Sequence, residues 1–157
     1  VHPYYMDEEK YKELLLTSFK VLRSKLSNIL VVIKPHPREE IDTIDEILKI
    51  NNQDFYKFSR EDASVLSQNA VLTISFWTSA ILASLAFGIP SVEYYIEADK
   101  FRSVEPEGSV YKNLGIDSVS TENELSKFID RVINKKYKIP KIIDQISADK
   151  NIDFFPN

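Results

Sequence analysis

The sequence predicts a single α/β domain, a Rossmann-like, doubly wound parallel sheet with helices on both faces. Two observations carry this. Short apolar runs alternate with stretches of helical period along most of the chain. The first of those runs, Asn28–Ile33, is apolar on both sides, as a strand between two helical layers must be. The length of 157 residues, 43% of them hydrophobic, suits one domain with a sizeable core.

The elements follow in order. Glu8–Leu26 reads as a helix with Tyr11, Leu14, Leu15, Phe19, Leu22 and Leu26 on one face. Asn28–Ile33 reads as a strand stopped by Pro35, and Arg38–Ile50 as a helix striped by Ile41, Ile44, Ile47 and Leu48. Asp54–Phe58 is a short strand. Ser59 is placed to cap a helix over Arg60–Gln68, with Asp62 completing a capping box. Ala70–Ile74 is a strand, and Thr78–Phe87 a helix closed by Gly88 and followed by Pro90. Ser91–Tyr95 is a strand. Residues 97–120, with Gly, Pro and Ser, read as loop with short turns. Thr121, with Glu124 three residues later, caps a last amphipathic helix bearing Leu125, Phe128, Ile129, Val132 and Ile133. The tail from Lys138 reads as irregular, with one further helical turn.

Composition narrows the function. The net charge is −4, against the basic face a nucleic-acid binder carries. Cysteine is absent and only His2 and His36 are present, which excludes disulfides, thiolate metal sites and multi-histidine sites. No dense carboxylate cluster suggests Mg²⁺. No apolar run reaches membrane-spanning length and no signal peptide is visible, so a cytoplasmic location is the default expectation. The chain opens on Val1-His2-Pro3 without Met, which reads as the carboxyl-terminal domain of a longer protein; a complete chain with processed residues is the alternative. With three glycines and no Gly-x-Gly-x-x-Gly, the dinucleotide fingerprint is missing.

The chemistry-bearing residues gather at two expected strand ends. In Val31-Val-Ile-Lys-Pro-His-Pro37 the prolines stiffen a turn that displays Lys34 and His36 at the carboxyl end of a strand, the edge where open α/β sheets bind ligands. An imidazole can donate to a phosphate or protonate a leaving oxygen near neutral pH. Lys34 reads equally as a phosphate contact or a solvated lysine. In Ser75-Phe-Trp-Thr-Ser79 the strand gives way to a helix whose first N–H groups lie beside the hydroxyls of Ser75, Thr78 and Ser79. Ser75 or Thr78 reads also as a plain helix cap, and both roles are compatible. Glu93 is positioned to accept from ribose hydroxyls or to face solvent. Trp77 reads as core, with base stacking as the alternative. Glu105-Pro-Glu-Gly-Ser109 reads as a closing loop or as plain surface, and His2-Pro3 as a frayed terminus. Asp7, Glu8, Glu9, Glu39 and Glu40 read as helix-start charges favoured by the dipole.

With these residues in place, the pattern resembles the carboxyl-terminal, donor-binding domain of a GT-B glycosyltransferase of the bacterial capsule and surface-polysaccharide type, including sialyltransferase-like and polyol-phosphate-transferase-like groups. Lys34-Pro-His-Pro37 resembles their HP motif. Leu72-Thr-Ile-Ser-Phe-Trp-Thr-Ser-Ala80, running on to Leu85-Ala-Phe-Gly-Ile-Pro-Ser-Val-Glu-Tyr94, resembles their serine/threonine motif and the Gly-x-Pro strand after it. The resemblance covers about residues 28–95 and implies a nucleotide-sugar donor of CMP, CDP or UDP type as substrate, with no further cofactor. By it, His36 contacts the nucleotide phosphate and assists its departure, and Ser75, Thr78 and Ser79 hold the phosphate. The saccharide acceptor and the catalytic base belong to an amino-terminal domain outside this chain, so the isolated domain is expected to be inactive. Peripheral association with the inner face of the membrane is compatible with that role. Ser75-Phe76-Trp77 stands where many polyol-phosphate transferases carry an Asp before the serine pair, which weighs against that subgroup. Two other readings stay open: a non-catalytic flavodoxin-like phosphate-binding or assembly module, and a sugar-nucleotide epimerase on the same fold.

Overall fold

The computed structural model describes residues 7–96 and 106–148. They form a mixed α/β structure of seven helices and five short strands. In chain order these are α1 (Glu8–Lys25), β1 (Val31–Ile33), α2 (Ile41–Ile50), β2 (Tyr56–Phe58), α3 (Ala63–Ser67), β3 (Thr73–Ser75), α4 (Ala80–Ala86), β4 (Ser91–Tyr94), α5 (Val110–Asn113), β5 (Ser118–Val119), α6 (Glu122–Ile133) and α7 (Lys141–Ala148). Among the described residues no helix is long and apolar enough to cross a membrane.

Among the described residues all strand pairing is parallel. β1 pairs with β2, Val31 opposite Tyr56 and Ile33 opposite Phe58. β3, β4 and β5 form a second sheet in that order, with Ser75 opposite Glu93 and Glu93 opposite Ser118. Among the described residues no ladder joins β1 to β3, so two small parallel sheets stand where the sequence predicts one.

The strands are shorter than their apolar runs. β1 starts at Val31 because Asn28, with φ 55°, turns the chain after α1, and Leu30 is left 54% exposed. Val32 is exposed too, so β1 buries one face, not both. α3 starts three residues later than expected: Asp62 is its cap, accepting the Ser64 N–H at 2.8 Å, while Ser59 accepts from Glu61 in a separate turn. β5 lies within the stretch read as loop, and the tail forms the two-turn helix α7. His2-Pro3 and Glu105 lie outside the described residues.

One large core holds the fold. The α1 face of Tyr11, Leu14, Leu15, Phe19 and Leu22 packs with Ile44 and Leu48 of α2, Val92 and Tyr94 of β4, and Leu125, Phe128 and Ile129 of α6. A smaller cluster joins Ile81 and Leu85 of α4 to Ile116 and Ile143. Strand alternation explains the division. Ile74, Val92, Tyr94 and Val119 belong to the large core, whereas Thr73, Ser75, Ser91, Glu93 and Ser118 line the other face of the second sheet.

Two helix ends are closed by the devices the sequence predicts. At α6, Thr121 and Glu124 form the full capping box. Gly88, with φ 74°, ends α4 in a Schellman motif: its N–H donates to the Leu85 carbonyl and that of Ile89 to Ser84. The same two bonds close α6, from Lys135 to Val132 and from Lys136 to Arg131, but there the left-handed position (φ 55°) is a lysine. A side chain in that region costs energy that glycine avoids. Lys135→Gly is expected to raise stability by about 0.5–1 kcal/mol, read as a higher urea midpoint at unchanged slope.

Candidate functional site

The turn after β1 is built around His36. Pro35 is buried, while Lys34 and His36 are exposed beyond the strand end. The His36 N–H donates to Glu39 Oε2 at 2.6 Å, and the Glu39 N–H returns to the His36 carbonyl at 2.9 Å. The Arg38 N–H donates to His36 Nδ1 at 3.2 Å. With Nδ1 accepting, the neutral ring carries its proton on Nε2, the nitrogen remote from the turn. His36 is thereby presented as a donor at the end of a parallel strand. The Arg60 guanidinium steadies the turn from β2's side by donating to the Glu39 carbonyl at 3.3 Å. Lys34 lies in the electrostatic field of Asp62, whose carboxyl is held below its ordinary range chiefly by its bonds to Ser64.

The second turn runs from Ser75, the buried last residue of β3, to Ser79, the cap position of α4. Thr78 and Ser79 are exposed. Thr78 Oγ1 accepts the Ala80 N–H at 3.3 Å, and Ser79 makes no side-chain capping bond, which leaves its hydroxyl to other partners. α4 has seven residues, so its dipole is a small addition to what the hydroxyls supply. Trp77 takes φ 48°, a backbone state that costs a bulky residue about 1–3 kcal/mol. Its ring packs against the large core, and that packing holds the turn in this conformation.

Tyr11 brings the two turns together. Its hydroxyl hydrogen-bonds the Glu39 carboxylate, and burial, followed by that carboxylate, pushes its pKa far above the ordinary value. Its ring meets Phe76 edge-on, with centroids 5.9 Å apart and planes at 88°. Glu39 holds His36 and Phe76 sits between Ser75 and Trp77, so one buried side chain of α1 touches both turns. Sequence reading placed Tyr11 in the core stripe and Glu39 among helix-start charges. In fact Glu39 is 8% exposed and folded back onto its own turn. The signal available in the sequence was Glu39's spacing of three from His36, the reach of a side-chain-to-backbone turn bond.

Glu93 differs most from expectation. It is 0% exposed, and its Oε2 accepts from the Ser109 and Ser118 hydroxyls, the latter at 2.5 Å. A side chain this fully covered is not presented to a ribose hydroxyl at the surface. Its carboxylate cross-links β4 to β5 and to the start of α5, and Ser109, expected in a closing loop or on the surface, is a fully buried part of that link. Ser75 is the register partner of Glu93, so this polar row lies directly behind the second turn. A shallow surface hollow lined by Val119, Glu124, Lys127 and Arg131 includes no residue of either turn. No protein-family model, no curated protein and no solved structure matches the chain.

Proposed function

We propose that this chain is the nucleotide-sugar-binding half of a GT-B glycosyltransferase of surface-polysaccharide synthesis, with the donor's phosphates held between the turn at Lys34–Pro37 and the turn at Ser75–Ser79. The observation that carries this reading is the Tyr11 bridge, which puts an exposed imidazole donor and two exposed hydroxyls on neighbouring turns. In the doubly wound reading β1 runs beside β3, and the sheet order becomes 2-1-3-4-5. Both turns then flank the point where that order reverses, the crevice such sheets use for phosphorylated ligands.

The chemistry follows from the donors. Lys34 supplies a cation, His36 Nε2–H a directed hydrogen bond, and Thr78 and Ser79 hydroxyl donors. Together they suit the charge that builds on a departing nucleoside phosphate. A protonated His36 can also hand its proton to the leaving oxygen. The acceptor and the base that activates it belong to the other half of the enzyme, so this chain binds donor without turnover.

Titration of the 157-residue chain with CMP, CDP and UDP, observed by NMR, tests the reading. One of these nucleotides is expected to bind, and His36→Ala is expected to weaken it about tenfold, the effect of losing one charge-assisted hydrogen bond. A folded chain that ignores all three, or a His36→Ala variant that binds as before, would remove the proposal's basis.

A further inference from the structure

Glu39 is buried although an exposed position was one residue away, where Glu40 sits. Turning a carboxylate inward carries a desolvation cost that donors must offset. Here the donors come from two elements: the His36 N–H at 2.6 Å and the Tyr11 hydroxyl on α1. Tyr11 itself occupies a face otherwise lined by Leu14, Leu15 and Phe19, where an apolar residue would satisfy packing alone. Its ring then abuts Phe76, inside the other turn.

We infer that Tyr11 and Glu39 are positioning residues: Glu39 sets the backbone that aims His36, and Tyr11 locks that turn in register with the Ser75–Ser79 turn so that both face one phosphate group. The inference rests on the phosphate-binding reading of His36, but the positioning itself is measurable without a ligand. Arg38 and His36 share the turn, so loosening it frees Nδ1 from the Arg38 N–H and removes the preference for the Nε2–H tautomer.

The test is amide hydrogen exchange and ¹⁵N NMR of the His36 ring on the unaltered chain and on Tyr11→Phe, Glu39→Ala and Glu39→Gln, with CMP, CDP and UDP as ligand probes. Tyr11→Phe keeps the ring against Phe76 and removes only the hydroxyl. It and Glu39→Ala are expected to speed exchange at the His36 and Glu39 amides about tenfold relative to Leu22 of the same α1, and to mix the ring tautomers. Glu39→Gln, whose amide oxygen still accepts from His36, is expected to stay within about threefold of the parent. The nucleotide that binds should lose about tenfold in affinity in Tyr11→Phe and Glu39→Ala and little in Glu39→Gln. Unchanged exchange and tautomer in Tyr11→Phe, or equal acceleration at Leu22, would overturn the inference. If the unaltered chain binds none of the nucleotides while the exchange pattern appears, the phosphate reading fails and the positioning stands.

Discussion

Glu93→Ala is expected to destabilise the chain by about 3 kcal/mol, seen as a lower urea midpoint. The side chain is fully buried, and one of its oxygens accepts two hydroxyls from different elements, Ser109 at the start of α5 and Ser118 in β5. Alanine removes that shared acceptor and leaves a cavity lined by hydroxyls. Ser109 is fully buried, and a buried hydroxyl that loses its acceptor costs about 1–3 kcal/mol; the cavity adds to it. β5 is two residues long and parallel to β4, so it has few ladder bonds with which to hold itself. Glu93→Gln retains an acceptor oxygen of the same reach and is expected to recover about half of the loss. If alanine costs under about 1 kcal/mol, the carboxylate is not the link between these elements. The prediction bears on the site because Ser75 is the register partner of Glu93. Loosening the row behind Ser75 removes the rigid backing of the turn to Ser79.

The parts of this fold legible in the sequence are those whose signal is local. The α1 stripe and the Leu125–Phe128–Ile129 part of the α6 stripe read directly, because helical period depends on neighbours three and four apart, whereas Ile133 at the end of that stripe is exposed. Thr121 with Glu124 and Gly88 before Pro90 are cap signals that need no tertiary partner. The strands are a different case. Asn28–Ile33 looks like a six-residue strand, yet whether Leu30 and Val32 are covered depends on what packs over them, and nothing in the run itself decides this. β5 was missed because two residues carry no period. The same division holds in the site. The two turns are visible as Pro-His-Pro and as hydroxyls ahead of an apolar helix. Tyr11 was not, since a tyrosine in an apolar stripe looks like core until its hydroxyl is seen to reach Glu39. Glu93 was misplaced for a related reason: alternation gives its face of the strand, but its hydroxyl partners Ser109 and Ser118 lie at the start of α5 and in β5, both assigned to loop.

Phe128→Ala is expected to be the most damaging substitution, at about 4 kcal/mol. Phe128 is fully buried in α6, where that helix meets α1 and β4. Its ring stands edge-on to Tyr137, centroids 5.6 Å apart, and the Arg131 guanidinium lies 5.6 Å from its centroid. The ion pairs that also join α1 to α6, Lys20–Glu122 and Lys25–Asp130, are partly exposed and contribute at most about 1 kcal/mol each, too little to compensate. A total stability of about 5–15 kcal/mol makes the loss a large fraction of the whole. Ile133→Ala, five residues on and 42% exposed, is expected to cost about 0.5 kcal/mol and serves as the control. The consequence reaches the candidate site through Tyr137, which packs against the α4 cluster as well as the large core. α4 carries Ser79 at its start. Amide exchange at Leu85 should therefore accelerate in Phe128→Ala beyond what the global loss explains, and stay at the parent rate in Ile133→Ala. Exchange at Leu85 that merely tracks global stability would show that α4, and the second turn ahead of it, are held independently of α6.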